Sequence, residues 1–260
     1  MPFEHLLIED RGAVRIVTIN RPDKLNALNR ATLLELQRAF DGCREDETVR
    51  VAVVRGAGDK AFIAGADIAE LAALGPIQAR DFSRLGQRVM RSIEGLGKPV
   101  IAMIGGYALG GGMELAMSCH LRIASEKATF GQPEINLGTL PGFGGSQRLL
   151  RLAGRGVALE LCLTGARIGA QRAYELGLIH RIAAADQLEG ETMTLATELA
   201  NAAPQALRGI LDAVLIGGEC GLEAGLDYET QAFALCASSE DMREGTQAFL
   251  QRRKPVFRGH

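Results

Sequence analysis

The sequence lacks an excess of charge of either sign. Its 260 residues contain 29 Lys and Arg against 31 Asp and Glu, and the formal net charge is −2. Proteins that bind nucleic acids nonspecifically usually carry a basic surface and a high isoelectric point. The only tight basic run here is Arg252-Arg253-Lys254. The balance therefore argues against a nucleic-acid-binding protein, the alternative from a different functional class. The 47% hydrophobic content argues against a disordered chain.

Cysteines are few, and no pair has the spacing of a redox or metal motif. The number is odd, there is no C-x-x-C pair, and the four histidines include no H-E-x-x-H. We find no metal-ligand cluster and predict no metal site. The pattern indicates reduced, mostly structural thiols of a cytoplasmic protein. The five cysteines are Cys43, Cys119, Cys162, Cys220 and Cys236.

Long apolar runs are also missing. The longest uncharged stretch, Pro99–Met113, is too short and too rich in glycine to cross a membrane. The first residues, Met1–His5, are polar and acidic, whereas a signal peptide would be basic and then apolar. We therefore expect no membrane association and a cytoplasmic location.

Common nucleotide-binding and hydrolase motifs do not occur. There is no G-x-x-x-x-G-K-[ST] sequence and no G-x-S-x-G sequence, which excludes a P-loop and a serine-hydrolase elbow. Gly142 and Gly144 begin a G-x-G pattern, but Gln147 stands where a dinucleotide fold needs its third glycine. The glycine-rich stretches must serve another purpose.

Strand and helix signals alternate through the first two thirds of the chain. The β-branched run Val49–Val54 is typical of a buried parallel strand. Two further strand candidates, His5–Asp10 and Ala13–Asn20, flank a turn at Arg11-Gly12. Asn29 can cap the helix that follows it. This alternation predicts an α/β fold.

The last third of the chain is predicted to be almost entirely helical. From about Leu149 onward, the only strand signal is Leu178–Ile182. A boundary near Pro204 divides the chain into an α/β core, residues 1–198, and a helical C-terminal region, residues 199–260. No flexible linker separates them, so the helical region should pack on the core or on a neighbouring subunit.

Two glycine turns have the features of a site for negative charge. Gly110-Gly111-Gly112 precedes a helix start, where unpaired backbone N–H groups and the helix dipole favour an anion. Ala64-Gly65-Ala66-Asp67 is a second turn that can aim an amide outward. Two such amides on separate loops are what an oxyanion hole requires, although each turn alone could be structural.

Two carboxylates accompany these turns. Glu114 lies in the first helical turn after the glycines, and Glu134 follows a proline. Both have apolar neighbours, which would push their pKa values apart and give one acid and one base. Taken alone, Glu114 could simply complement the helix dipole.

The chain resembles the crotonase superfamily, also called the enoyl-CoA hydratase/isomerase family, over almost its whole length. The resemblance rests on the motifs Ala61–Ile68, Lys98–Ala102, Gly106–Ala116, Phe130–Glu134, Gly138–Leu149, Leu163–Gly165, Arg243–Phe249 and Arg252–Phe257. It implies a spiral of ββα units with an all-helical C-terminal region that builds a trimer, usually stacked into a hexamer. It also implies acyl-CoA substrates and no cofactor, because coenzyme A is part of the substrate.

The resemblance assigns roles to the two turns and the two carboxylates. The backbone N–H groups of Ala66 and Gly111 are expected to form the oxyanion hole for the thioester carbonyl. Because Glu114 and Glu134 are both present, the expected reaction is the reversible hydration of a 2-trans-enoyl-CoA to a 3-hydroxyacyl-CoA. Glu114 would activate water for attack at C3, and Glu134 would move the proton at C2. The alternative is a Δ3,Δ2-enoyl-CoA isomerase.

The same resemblance suggests which residues bind the substrate. The expected substrate- and CoA-binding residues are Lys24, Ala27, Ala64, Asp67, Ile68 and Gly142. Ala69 stands where some relatives carry a lysine for a CoA phosphate, which shifts that expectation to Lys24, Arg252 and Lys254. His120 replaces a residue that is often Asp, a change that we expect to be structural. Residues 71–93 should supply much of the acyl pocket wall, but the sequence does not define the acyl chain length.

Overall fold

The strands form two sheets, and from β3 to β8 successive strands alternate between them. The computed structural model describes residues 2–260. The large sheet has the order β1-β2-β3-β5-β7-β10. Its strands are β1 Leu6–Arg11, β2 Val14–Ile19, β3 Val51–Gly56, β5 Val100–Ile104, β7 Leu121–Ser125 and β10 Arg181–Ala183. The small sheet has the order β4-β6-β8-β9. Its strands are β4 Ala61–Ala64, β6 Tyr107–Leu109, β8 Thr129–Gly131 and β9 Arg167–Gly169.

Most of the strand pairs are parallel. The exceptions are the β1–β2 hairpin and the β8–β9 pair, which are antiparallel. The hairpin confirms the two strands predicted around Arg11-Gly12. Val51–Val54 lies between β2 and β5 and is buried throughout, which confirms the predicted buried parallel strand.

Helices follow each pair of strands, so that β3-β4, β5-β6 and β7-β8 each lead into helical structure. This repetition carries the chain round in successive ββα turns. In the first two thirds the helices are α1 Arg30–Glu45, α2 Ile68–Ala72, α3 Pro76–Glu94, α4 Gly111–Ser118 and α5 Gly145–Thr164. Later helices are α6 Ala170–Glu175, α7 Leu188–Ala200, α8 Pro204–Gly217, α9 Leu222–Ala237 and α10 Glu240–Leu250.

Local sequence explains where α1 begins and which way it faces. The side chain of Asn29 accepts a hydrogen bond from Thr32 N at 2.8 Å, as a helix cap should, which confirms the predicted capping role. Leu33, Leu36 and Phe40 lie on one face and are completely buried. Burying each such side chain contributes about 1.5–3 kcal/mol.

The large sheet is covered on both faces. One face packs with α1 and α3 and with the small sheet in the main hydrophobic core. The other face, with Ile16, Val53 and Ile101, packs against Leu195 and Ala196 of α7. A sheet buried on both faces accounts for the nearly continuous apolar character of β3 and β5.

Strands β6 and β9 are among the short strands that were not predicted. β9 lies in the segment expected to have no strand other than Leu178–Ile182, and β6 lies within the glycine-rich stretch. Each has three residues, too few for an alternating pattern to show, and each exists because it pairs with β8. The predicted strand at Leu178–Ile182 begins only at Arg181, since Leu178 N bonds to Ala173 O after α6.

The C-terminal helices pack mainly on one another. Helices α8 and α9 pack against each other, and neither contains a fully buried residue. The predicted division into residues 1–198 and 199–260 falls near the end of α7 and stays a prediction. Among the helices of residues 2–260, none is long and apolar enough to cross a membrane.

Candidate active site

The site lies where three loops leave the small sheet. Strands β4, β6 and β8 are parallel neighbours, so the segments that follow them meet at one edge. These segments carry Ala66, Gly111 and Glu134. The topology therefore brings together residues that are up to 68 positions apart in the sequence. Ligands generally bind at the carboxyl ends of parallel strands.

Two backbone amides at this edge have no acceptor. Within residues 2–260, neither Ala66 N nor Gly111 N donates a hydrogen bond to a protein atom. The two amides are close, because a Cβ with ideal geometry on Gly111 would lie 3.5 Å from Ala66 N. Leu28 orients the first of them: Leu28 N donates to Gly65 O, and Asp67 N donates to Leu28 O, both at 2.9 Å. The structure thus brings the two predicted turns together with both amides free.

Glycine is required at two positions in the second turn. Gly110 has φ of +49°, and an added Cβ there would lie 2.8 Å from Glu134 Oε1. An added Cβ on Gly112 would lie 2.0 Å from Ile63 O in β4. The run of glycines therefore lets α4 start directly against β4 and lets the Glu134 carboxylate approach the backbone.

The Glu114 carboxylate is buried and held by backbone. Its side chain is on α4 and only 1% of the residue is exposed. Oε1 accepts hydrogen bonds from Phe143 N at 2.7 Å and Gly145 N at 2.6 Å. Burial raises the pKa of Glu114 to about 8, and the neighbouring Glu134 charge adds to this rise. The two amide donors and Arg148 act in the opposite direction.

The second carboxylate, Glu134, lies on a short 3-10 turn, Pro133–Leu137. Burial raises its pKa to about 7. In the orientation that satisfies its neighbours, the fully buried Gln132 amide donates to Glu134 Oε1 at 3.0 Å and Oε2 at 3.1 Å. Because two nearby carboxylates disfavour each other's ionisation, the charge of Glu134 also raises the pKa of Glu114.

Phe143 forms an apolar wall beside the free amides. Its ring lies 3.3 Å from the position that a Cβ on Gly111 would take. The ring also occupies space that a side chain on Gly86 would need, since a Cβ there would come within 2.0 Å of it. Phe82 meets it edge to face with ring centroids 5.3 Å apart. Helix α3 therefore fixes this ring from behind.

The predicted substrate-binding residues surround the site unequally. Ala64 and Ala27 lie next to the first turn: Ala64 N donates to Leu25 O, and Ala27 O accepts from Arg21. Lys24 and Ile68 are both exposed. Asp67 is different, because its carboxylate pairs with Arg21 at 2.9 Å and accepts from Ala69 N at 3.2 Å.

Gly142 lies at the other side of the site, where its carbonyl accepts from Ser83 Oγ at 2.6 Å. In residues 2–260, no group of three His, Cys, Asp or Glu side chains could hold a metal ion. A cavity of about 930 Å³ lies at the opposite end of the small sheet, near Lys60, Tyr107 and Lys127, and contains none of the predicted site residues.

Sequence reasoning gave no role to several residues that shape the site. Gln132 and Phe143 stand inside motifs that pointed to the family, but only the fold shows what their side chains contact. Gly145 contributes an amide to Glu114, and Arg148 holds the same loop from outside. The motif spacing alone could have marked Gln132, since it lies two residues from Glu134.

Comparisons with known proteins identify the family. A model of the enoyl-CoA hydratase/isomerase family matches residues 9–260. A short-chain-enoyl-CoA hydratase of Clostridium acetobutylicum is 42% identical over 254 residues, covering 98% of this chain and 97% of that protein. A crotonyl-CoA hydratase of Syntrophomonas wolfei is 42% identical over 257 residues, covering 99% of each.

Solved structures agree. An enoyl-CoA hydratase from Bacillus anthracis superposes with a TM-score of 0.96 at 39% identity, covering 99% of this chain and 100% of that one. One from Geobacillus kaustophilus has a TM-score of 0.94 at 43% identity, with 99% of each chain covered. The predicted crotonase-like α/β fold is thereby confirmed. The chain belongs to the enoyl-CoA hydratase/isomerase family.

Proposed function

We propose that this protein is an enoyl-CoA hydratase, a hydro-lyase that reversibly adds water to a 2-trans-enoyl-CoA and gives a 3-hydroxyacyl-CoA. The observation that carries the proposal is the pairing of two free amides, Ala66 N and Gly111 N, with two carboxylates, the buried Glu114 and the half-buried Glu134. Amides can stabilise a thioester enolate, while the carboxylates can hold a water and move its protons. The hydratases among the relatives support this assignment.

In the proposed reaction, the thioester oxygen accepts hydrogen bonds from Ala66 N and Gly111 N. Glu114 takes a proton from the water as the water oxygen attacks C3. The electrons of the double bond move toward the thioester, whose oxygen becomes an enolate. Glu134 then delivers a proton to C2 and the carbonyl reforms. Loss of one oxyanion donor typically lowers the rate about 10²–10³-fold.

This scheme depends on which of the two carboxyl groups, Glu114 or Glu134, carries a proton. Hydration needs a proton on Glu134 and an ionised Glu114 when substrate binds. Burial raises the pKa of both groups, which opposes the ionisation of Glu114. The amides of Phe143 and Gly145 favour the carboxylate form of Glu114, and in the substrate-bound state the reacting water lies between the two carboxyl groups. The assignment of base and acid is therefore a proposal that rests on the bound state.

The experiment is hydration of crotonyl-CoA, followed by loss of the enoyl thioester absorbance, with Glu114→Gln and Glu134→Gln. We expect each variant to lose about 10²–10⁴-fold in kcat with CoA binding retained. Exchange of the C2 proton of butyryl-CoA in D₂O separates the roles: it should survive Glu114→Gln and fail in Glu134→Gln. Isomerisation of a 3-enoyl-CoA without hydration of any 2-enoyl-CoA would instead establish the Δ3,Δ2-enoyl-CoA isomerase.

We also propose that the acyl chain is short. The C. acetobutylicum and S. wolfei relatives are named for short-chain and crotonyl substrates. Phe143 supports this, because its fixed ring narrows the space beside Gly111. The kcat/KM for substrates of four to sixteen carbons should be highest at four and fall with length. A maximum at ten carbons or more would contradict this proposal and leave the hydratase assignment intact.

The proposed assembly is a homotrimer or a hexamer made of two trimers. Support comes from the apolar side chains that α8, α9 and the following segments expose, a surface larger than isolated surface residues require. These side chains are Ile210, Val214, Leu222, Phe233, Leu235, Phe249 and Leu250. Light scattering should give the mass of three or six chains of 27.7 kDa. A monomer would contradict the proposal.

The remaining proposals concern the surroundings of the enzyme. Lys24, Arg252 and Lys254, all exposed, are proposed contacts for the CoA phosphates. The reaction is proposed to need no cofactor beyond the coenzyme A of its substrate. A cytoplasmic location is supported by the five cysteines, none of which is paired.

A further inference from the structure

We propose that Glu94 and Arg148 form a clamp that positions Glu114 and stabilises its carboxylate, so that Arg148 is a positioning residue for the hydration reaction. This inference rests on the proposed function. Neither residue reaches the reacting atoms. Their effect travels through the loop Gly142–Gly145, which joins the 3-10 turn region to α5.

The first step of the argument is the ion pair. Arg148 Nε donates to Glu94 Oε1 at 2.6 Å, and Nη2 donates to Oε2 at 2.7 Å. Both side chains are largely shielded, with 14% of Arg148 and 30% of Glu94 exposed. Two parallel hydrogen bonds fix the plane of the guanidinium and leave its third nitrogen in a set direction.

The second step joins the pair to the loop. Arg148 Nη1 donates to Phe143 O at 3.0 Å. The N–H of Phe143 donates to Glu114 Oε1 at 2.7 Å, and the N–H of Gly145 donates to the same oxygen at 2.6 Å. A Cβ on Gly144 would lie 2.3 Å from Nη1, so the guanidinium lies directly against the loop. Arg148 therefore holds Phe143 in place, and the N–H of Phe143 holds the Glu114 carboxylate.

The third step is electrostatic. The positive charge of Arg148 favours the Glu114 carboxylate, opposing the burial that raises its pKa. Glu94 partly neutralises that charge. Removing Arg148 and removing the charge of Glu94 should consequently shift the titration of Glu114 in opposite directions. Loss of packing alone predicts no such pair of opposite shifts.

His120 fastens the other end of the clamp. Its Nδ1 accepts from Val100 N at 2.9 Å, so its Nε2 carries the hydrogen and donates to Glu94 O at 2.9 Å. This contact holds the last turn of α3, from which Glu94 projects. His120, one of the residues at which this chain departs from the family pattern, thus supports the clamp.

The experiment compares Arg148→Met, Arg148→Lys and Glu94→Gln. The matched control is Arg151→Met, since Arg151 lies one turn further along α5 and pairs with Glu219 at 2.6 Å on the surface. For each variant, kcat and KM for crotonyl-CoA are measured from pH 5.5 to 10. Carbon-13 NMR of labelled glutamate follows the Glu114 carboxyl, with Glu114→Gln for its assignment.

We expect Arg148→Met to lower kcat about 10–100-fold with KM little changed, since small displacements of catalytic groups have effects of this size. The Glu114 titration and the acidic limb of kcat should move up by about one pH unit. Arg148→Lys keeps the positive charge, so the acidic limb of its kcat should stay near the wild-type position although kcat falls. Glu94→Gln should move the acidic limb of kcat to lower pH. Arg151→Met should change neither.

Two kinds of failure remain distinct. A wild-type protein that hydrates no enoyl-CoA would refute the proposed function, while the NMR titration would still test the clamp. Arg148→Met with an unchanged kcat and an unchanged Glu114 titration would overturn the clamp. Equal losses of kcat in Arg148→Met and Arg151→Met would also overturn the clamp. The same holds if the acidic limb of kcat moves in the same direction in Arg148→Met and in Glu94→Gln.

Discussion

The Gln132 amide nitrogen donates to both carboxylate oxygens of Glu134, at 3.0 and 3.1 Å. Gln132 is completely buried, so its amide cannot exchange these bonds for water. Such a donor favours the charged form of a carboxylate and lowers its pKa. Burial acts in the opposite direction and raises the pKa of Glu134 to about 7. Gln132 therefore limits how far burial can raise it.

Gln132→Met should raise the pKa of Glu134 further, because the donor is lost and the space becomes apolar. Because Glu134 delivers its proton to C2, the alkaline limb of kcat should move to higher pH, with KM little changed. The control is Gln171→Met, which removes an exposed hydrogen bond of 3.2 Å between Gln171 and Glu175. The measurement is the pH profile of crotonyl-CoA hydration. An unshifted limb would show that Gln132 does not influence Glu134.

Glu114→Gln should make the protein more stable at alkaline pH while it removes activity. In the unfolded chain Glu114 ionises with its ordinary pKa of 4.5, whereas in the folded protein burial raises its pKa to about 8. The folded state therefore binds more protons between these values, and the free energy of unfolding falls as pH rises through this window. A neutral glutamine, which can still accept from Phe143 N and Gly145 N, avoids that loss.

The gain of Glu114→Gln over wild type should grow from pH 5 to pH 8 by at most about 1.4 kcal/mol per pH unit. Urea denaturation at several pH values measures it. Glu160→Gln is the control, because Glu160 is an exposed carboxylate on α5. A gain that does not depend on pH would contradict the raised pKa of Glu114.

Gly112→Ala should disrupt folding, whereas Gly190→Ala should stabilise it. A Cβ on Gly112 would come within 2.0 Å of Ile63 O, which would force α4 away from β4. Around Gly190 in α7 there is nothing within 4 Å, and alanine is favoured over glycine in a helix by about 0.5–1 kcal/mol. Thermal unfolding and crotonyl-CoA hydration should both be measured. A Gly112→Ala protein with wild-type melting temperature would contradict the close approach of the two elements.

Much of the site could be predicted from sequence because its parts are local. The glycine turns Gly110–Gly112 and Ala64–Asp67 could be found from local pattern, whereas the choice of Gly111 and Ala66 within them came from the resemblance. Local pattern also predicts the Asn29 cap and the apolar strand Val51–Val54. The spiral arrangement itself came from resemblance, because no local pattern states which strands become neighbours.

The parts that could not be predicted depend on contacts between distant residues. Phe143 fits against Gly86, 57 positions away, and Arg148 pairs with Glu94, 54 positions away. Neither residue carries a local signal of its partner. Strands β6 and β9 were missed for a related reason: three residues become a strand only through pairing with β8. Short elements defined by tertiary pairing are invisible to periodicity.

His120 makes the protein less stable in acid. Val100 N donates to its Nδ1, so protonation of that nitrogen would break the bond. Burial lowers the pKa of His120 below its ordinary value of 6.5. The unfolded chain then binds the proton more readily than the folded protein does. The stability that neutral His120 provides is complete above pH 6.5 and is lost as pH falls through the lowered pKa.

His120→Gln should flatten this dependence, because glutamine can accept one hydrogen bond and donate another but does not titrate. Between pH 7 and pH 5 the free energy of unfolding of the wild type should fall more steeply than that of the variant, by at most about 1.4 kcal/mol per pH unit. His260→Gln is the control, since the His260 side chain is 64% exposed.

Because His120 also donates to Glu94 O, the His120→Gln variant tests the clamp too. If the glutamine restores both hydrogen bonds, kcat at pH 8 should stay near the wild-type value. Parallel slopes for the wild type and His120→Gln would mean that His120 does not titrate in this range.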